Sequence, residues 1–167
     1  ASRPDANKLR WPDPNPFTPT DFSLACDLPE EKAAVEAALA SSPYKGPVGP
    51  GPLAVAPRLI REDGLAKLWH KADSTFRRPK THLFLDIVVP AVYASPDASS
   101  LTRLFFRLVN DELTEFTYPA DCAGLGYSLS LSTSGLRLTV AGYNHKLPTL
   151  LTSVLGRLAN PTLDQER

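Results

Sequence analysis

The chain has 167 residues and carries 18 Lys and Arg against 18 Asp and Glu, so its formal net charge is zero. Nucleic acid and anionic membranes attract an excess of positive charge, so a neutral chain favours neither as a partner. No apolar run approaches the ~20 residues of a membrane-spanning helix, and one domain of this size can bury roughly two thirds of its unfolded surface.

The two cysteines, Cys26 and Cys122, are too few for a disulfide framework. This favours a reducing compartment, and we expect an intracellular protein, cytosolic or organellar. The chain contains no Met, and three of its last four residues are charged: Asp164, Glu166 and Arg167. Together these features indicate a piece of a longer chain.

Residues 1–27 are predicted to form a proline-rich strap between domains. Proline lacks an amide donor and holds the preceding residue in an extended conformation, which excludes a sheet strand here. Phe17 and Phe22 are its candidate anchors. A proline-rich recognition ligand is the alternative that the composition leaves open.

Residues 28–56 are predicted to be a helix followed by a Pro/Gly-rich insertion loop. Asp27 is the expected N-cap, and the helix should run to about Ala40. Residues 43–57 then contain five prolines and three glycines, which exclude a regular element.

The third segment, residues 57–167, should hold the fold. Strands are predicted at residues 58–61, 64–72 and 81–89, and the last of these has apolar residues on both faces, which indicates a central strand. The basic tip between the second and third strands is predicted to be a solvated turn, not a phosphate site. Its residues are Arg77, Arg78 and Lys80.

The remaining elements are two helices that flank a hairpin. The first helix is expected to start at Ser99 or Ser100 and to end at Thr117, before Pro119. Residues 127–132 and 136–141 alternate apolar and polar side chains on either side of a turn containing Gly135, which predicts two antiparallel strands.

The last helix is predicted from Asn144, its expected N-cap, through Leu158. Its apolar residues recur at helical spacing and form a continuous stripe. A sheet with one apolar face and two helices with apolar stripes must bury these surfaces together. We therefore predict an α+β domain whose antiparallel sheet has its helices packed on one face.

The residues that could carry chemistry do not form a catalytic pattern. His70, His82 and His145 are the only imidazoles, and none has a second ligand at a zinc-binding spacing such as H-x-x-E-H. Cys122 could act as a nucleophile, but a packing role is the expected one. Three carboxylates cluster near Arg107, where a solvated helix face explains them. They are Asp111, Glu112 and Glu115.

Several segments carry a family resemblance in the order in which they occur. Residues 15–24 read NPFTPTDFSL, residues 68–73 read LWHKAD and residues 76–80 read FRRPK. Later segments read LTEFTY from residue 113, AGLGY from residue 123 and GYN from residue 142. These segments resemble the noncatalytic middle, or third, domain of the insulin-degrading enzyme and pitrilysin family of zinc metallopeptidases, at the start of the second half.

The resemblance implies a place in a clamshell of four α+β domains around a peptide-sized chamber. Zinc and the general base belong to the H-x-x-E-H motif of the family's first domain, which this chain lacks, so no catalytic, cofactor or metal-binding residue is assigned to it. The implied partners are the other domains of a parent peptidase and its peptide substrates. Two alternatives stay open: a free-standing protein- or peptide-binding domain derived from this fold, and an unrelated enzyme that uses Cys122.

Overall fold

The computed structural model describes residues 13–41, 56–73, 75–132 and 134–161. These residues divide into two compact units. The first unit comprises the described parts of Ala1–Thr20, His82–Gly142 and Lys146–Arg167, and the second comprises those of Asp21–Thr81 and Tyr143–His145. The predicted boundaries at residues 27 and 56 stay predictions, and most of the Pro/Gly-rich loop lies outside the described residues.

The first unit contains the predicted hairpin. Strand β4, Gly126–Ser132, pairs antiparallel with strand β5, Gly135–Tyr143. Leu129 lies opposite Leu138 and both are buried, whereas the neighbouring pair, Ser130 and Arg137, is exposed. The predicted alternation of a buried face and a wet face is therefore confirmed.

Two helices cover the buried face of this hairpin: α2, Pro96–Cys122, and α3, Leu147–Ala159. The apolar stripe of α3 is confirmed, and Leu150 and Val154 have no exposed surface. The α+β prediction is confirmed. The buried cluster comprises Phe17, Val109, Leu113, Ala120, Leu125, Leu129, Leu138, Val140, Leu147, Leu150 and Val154.

Helix α2 is longer than predicted at both ends. Its N-cap is Ser95, whose hydroxyl accepts a hydrogen bond from the Ala98 amide, and not Ser99 or Ser100. At the other end the helix continues through Pro119 to Cys122. Only one turn remains after Pro119 and Ala120 is fully buried, so packing offsets the hydrogen bond that the proline cannot donate.

The prediction of a central third strand was wrong. Strand β3, Lys80–Val88, lies at the edge of a three-stranded sheet whose order is β3-β5-β4. Phe84 and Val88, on its second face, are 69% and 67% exposed. These apolar side chains, which had indicated burial on both faces, are instead solvent-accessible in this chain. A short 3₁₀ turn, Pro90–Tyr93, connects β3 to α2.

The second unit contains a 3₁₀ turn at Ala25–Asp27, helix α1 at Pro29–Ser41 and a two-stranded antiparallel sheet. Helix α1 begins two residues after the predicted cap, Asp27, because proline is favoured at the first helical position. No helix in the described ranges is long and apolar enough to cross a membrane.

The small sheet of the second unit pairs β1, Arg58–Glu62, with β2, Lys67–His70. Strand β2 is shorter than the predicted span of residues 64–72. The reason is local, because the Asp63 carboxylate accepts hydrogen bonds from the amides of Leu65 and Ala66 and turns the chain before Lys67. Every residue of β1 is exposed.

Candidate functional site

The three histidines occupy separate environments. His70 Nδ1 lies 3.7 Å from Glu31 Oε2, and His145 Nδ1 accepts a hydrogen bond from the Asp21 amide. His82 is exposed on β3. In the part of the chain that the structure describes, no three His, Cys, Asp or Glu side chains lie close enough together to hold a metal ion. These described residues do not fit a zinc centre.

The two cysteines lie in different environments. Both are free thiols, with Cys26 half-buried and Cys122 exposed as the last residue of α2. The predicted packing role is therefore wrong for Cys122.

The predicted solvated carboxylate cluster on α2 is wrong for Glu112. Its Oε1 accepts a hydrogen bond from Arg157 Nη1 of α3 at 2.7 Å, and the glutamate side chain is only 14% exposed. The Arg157 guanidinium lies 4.0 Å above the ring of Phe116. The ion pair therefore joins two helices of the core and is structural.

Three surface aspartates have pKa values held below the ordinary value, each for a local reason. Arg137 donates two hydrogen bonds to Asp86, which lowers the pKa of that carboxyl. The pKa of Asp63 is lowered by the backbone amides of its own turn, and the pKa of Asp21 by the Ser23 amide. A general acid needs the opposite shift, so the lowered pKa values do not indicate one among these carboxyls.

The AGLGY segment is the stop signal of α2. Gly124 has a φ of 75° and its amide donates to the Asp121 carbonyl, while the Leu125 amide donates to the Ala120 carbonyl. These two bonds form a Schellman motif, which requires the left-handed conformation that glycine adopts readily. Leu125 is then fully buried against the core. The segment shared with the family thus ends a helix and starts β4.

The glycine of the GYN segment permits a close approach. Gly142 has a φ of 144°, and a Cβ atom there would lie 2.8 Å from the Leu125 Cα and 2.9 Å from the Gly124 carbonyl oxygen. Any side chain would collide with the end of α2. The two glycine-containing segments of the resemblance therefore meet in the first unit.

The other two residues of the GYN segment, Tyr143 and Asn144, make contacts within the second unit. The ring of Tyr143 is packed edge-on against Phe22, with centroids 5.4 Å apart, and has the Lys80 ammonium 4.9 Å from its centroid. The Asn144 amide donates to the Pro79 carbonyl, and its side-chain oxygen accepts from the Thr81 hydroxyl. Asn144 is therefore not the N-cap of α3, a place that Lys146 takes.

A cleft of about 230 Å³ lies between the end of α2 and the start of β4. Two phenols and a carboxylate border it, and Tyr118 is 69% exposed. No sequence pattern predicted this cleft. The two tyrosines that border it, Tyr118 and Tyr127, belong to the LTEFTY and AGLGY segments. The lining residues are Thr114, Thr117, Tyr118, Ala120, Asp121, Leu125, Gly126, Tyr127 and Leu150.

Comparisons with known proteins identify the family of this chain. The family model for the middle or third domain of peptidase M16 matches residues 1–167. Peroxisomal insulin-degrading enzyme-like 1 of Arabidopsis thaliana is 39% identical over 166 residues, which cover 99% of this chain and 15% of that protein. Human insulin-degrading enzyme is 34% identical over 160 residues, or 96% of this chain and 14% of that protein.

The comparison with solved structures supports the fold. The crystal structure of pitrilysin matches with a TM-score of 0.70 at 22% identity, over 95% of this chain and 14% of that one. The chain thus spans about a seventh of the length of the relatives that it matches. It belongs to the M16 peptidase family, in which it is the middle, or third, domain.

Proposed function

We propose that this chain is a noncatalytic segment of a zinc metalloendopeptidase, where it forms wall of the peptide-enclosing chamber and packs on neighbouring domains. The observation that carries the proposal is the match of residues 1–167 to the middle domain of the family. The glycine and aromatic residues of that resemblance have structural roles in the fold, as the stop of α2 and the Gly142 contact illustrate.

The chemistry is assigned to another part of the parent enzyme. The sequence lacks H-x-x-E-H, and within the described ranges the potential ligands do not converge. A zinc peptidase needs three protein ligands and a general base around one ion. The proposal therefore places zinc in a domain outside residues 1–167 and expects no turnover from this chain alone.

Exposed apolar residues of the second unit support packing on neighbouring domains. Ile60, Leu68 and Trp69 of the small sheet are 52%, 47% and 59% exposed, and Leu65 in its turn is 96% exposed. An isolated two-stranded sheet is at best marginally stable in water. A sheet that exposes these side chains fits a surface that other parts of a larger protein cover.

A free-standing protein- or peptide-binding domain is the second candidate. The specific observation in its favour is the edge position of β3, which can accept an added strand. In either case we propose an intracellular location, for which the peroxisomal name of one relative is a supporting parallel.

The rest of the reading frame separates the two candidates. The metallopeptidase proposal requires H-x-x-E-H upstream of residue 1 in the same frame. A frame that begins near Ala1 and ends near Arg167 would contradict it and favour the free-standing domain.

The wall role is tested in the parent enzyme by site-specific photo-crosslinking. A photoreactive amino acid at Phe84, on the exposed face of β3, should capture a bound labelled peptide if that face borders the chamber. The same group at Leu101 of α2, which is 67% exposed, is the matched position on a helix. If the peptide labels neither position, then neither the exposed face of β3 nor that of α2 borders the chamber, and the proposed wall role is contradicted for both surfaces.

A further inference from the structure

The Schellman stop of α2 leaves one backbone carbonyl to be satisfied by another part of the chain. In an uninterrupted helix the Ala123 amide would donate to the carbonyl of Pro119, four residues earlier. Here the Ala123 amide donates to the Ala120 carbonyl at 3.0 Å instead. The Pro119 carbonyl therefore loses its donor within the helix, and a helix end needs such groups satisfied.

The strap supplies that donor. Asn15 Nδ2 donates a hydrogen bond of 2.6 Å to the Pro119 carbonyl, across 104 residues of sequence. The rest of Asn15 is fixed by its own turn, because its side-chain oxygen accepts from the Phe17 amide at 2.9 Å and its carbonyl accepts from the Thr18 amide at 3.2 Å. Such an Asx turn holds the side-chain amide in one orientation.

A second contact fastens the same turn to the same helix. Phe17 is only 4% exposed and its ring meets Phe116 edge-on, with centroids 6.4 Å apart. The Phe116 ring also has a cation–π contact with the Arg157 guanidinium, which forms an ion pair with Glu112. The strap is thus joined to α2 by one polar and one aromatic contact, one turn apart along the helix.

We propose that residues 15–18 are a clasp that completes the C-terminal cap of α2 and controls the order of its last turn. That turn carries Asp121, which borders the cleft, and Cys122, and the cleft residue Tyr118 lies directly before it. Release of the strap would therefore loosen one wall of the cleft while the hairpin stays folded. The strap acts as a conformational device of the domain, not as a passive linker, and this holds whatever the activity of the parent peptidase.

The test follows hydrogen exchange at the amides of Gly124 and Leu125, which form the stop of α2, in the full chain. Asn15→Ala removes the two hydrogen bonds of the Asn15 side chain and keeps the backbone bond from Thr18. We expect the Gly124 and Leu125 amides to exchange about 3- to 10-fold faster. The Leu138 amide of β5 should not change.

Asn15→Asp separates the two roles of the side chain. A carboxylate still accepts from the Phe17 amide but cannot donate to the Pro119 carbonyl. We expect it to keep the strap turn ordered, with unchanged exchange at Phe17 and Thr18, and to accelerate exchange at Gly124 and Leu125 as Asn15→Ala does. Asn160→Ala, after the end of α3, is the matched control and should alter neither site.

Two results would overturn the clasp. One is an exchange rate at Gly124 and Leu125 that is the same in Asn15→Ala, Asn15→Asp and the parent chain. The other is an acceleration of exchange at Leu138 equal to that at Leu125, which would mean that the variant lowers global stability and that no local coupling exists.

Discussion

The two units of this chain are stabilised in different ways. The first unit contains every side chain with less than 2% exposure in the described residues, including Leu113, Leu138 and Leu150. In the second unit the described strands are exposed or half-buried throughout, and several of its contacts are ion pairs. Examples are Glu31 with Arg58, Asp27 with Arg77, and Glu62 with Lys67.

The difference shows which part of the fold the chain specifies on its own. Burial of an apolar side chain contributes about 1.5–3 kcal/mol, whereas an exposed ion pair contributes about 0–1 kcal/mol. The first unit should therefore be the stable part of the domain. The second unit should depend more on surfaces that this chain does not contain, as expected for a segment that packs on neighbours.

The largest expected effect is a glycine substitution in the hairpin. At Gly135, which has a φ of 153°, a Cβ atom would lie 2.1 Å from the Ile87 carbonyl oxygen. Gly135→Ala should destabilise the first unit by about 3–6 kcal/mol, because backbone strain and a clash with rigid backbone add. Gly126→Ala in the same hairpin meets nothing within 4 Å and is the matched control. Equal urea midpoints for the two variants would contradict the predicted contact.

A leucine comparison tests the burial difference directly. Leu150→Ala removes a fully buried side chain from α3 and should cost about 2–5 kcal/mol. Leu68→Ala in β2, where the side chain is 47% exposed, should cost less than about 1 kcal/mol in the isolated chain. Urea unfolding measures both values. A larger loss from Leu68→Ala would show that the small sheet is part of the stable core.

The ion pair between α2 and α3 should have an intermediate effect. Glu112→Gln keeps the shape of the side chain but weakens its bond to the half-buried Arg157, and should cost about 1–2 kcal/mol. The equivalent change Glu31→Gln in the second unit affects a pair whose arginine is more exposed, and should cost less than about 1 kcal/mol. Chemical denaturation of both variants checks the ranking, and the reverse ranking would contradict it.

The smallest effect concerns Asp86 at low pH. Its folded-state pKa lies below the ordinary 3.8 because Arg137 binds the carboxylate, so the pair stabilises the fold above pH 3.8 and is lost as the pH falls through the lowered pKa. In Arg137→Met the pKa of Asp86 should rise toward 3.8, as measured by NMR titration. The pKa of Asp63, which its own turn lowers, should not move.

The sequence predicted the parts of the fold that periodicity controls. The hairpin and the stripe of α3 are correct because alternation and helical spacing report directly which side chains are buried. The third strand was misplaced because Phe84 and Val88 indicate burial, but both side chains stay exposed among the residues that the structure describes.

The ends of α2 were missed although both have local signals. Ser95 before Pro96 is an N-cap signature, and Gly124 supplies the left-handed residue of the Schellman stop. Pro119 does not end the helix, because only one turn follows it and Ala120 is buried there.

The candidate site was predicted less completely than the fold. The dispersal of His70, His82 and His145 could be judged from spacing, whereas the pairing of Glu112 with Arg157 joins residues 45 positions apart. The cleft is lined by residues of the LTEFTY and AGLGY segments together with Leu150 of α3, and the sequence pattern does not show how far apart these elements lie.

The most direct test of the central claim is a zinc and peptidase assay on the pure 167-residue chain. After incubation with zinc and removal of excess metal, we expect less than stoichiometric zinc by elemental analysis and no cleavage of a quenched fluorescent peptide. One bound zinc ion per chain, with turnover that a chelator abolishes and zinc restores, would contradict the account and place the chemistry within this chain.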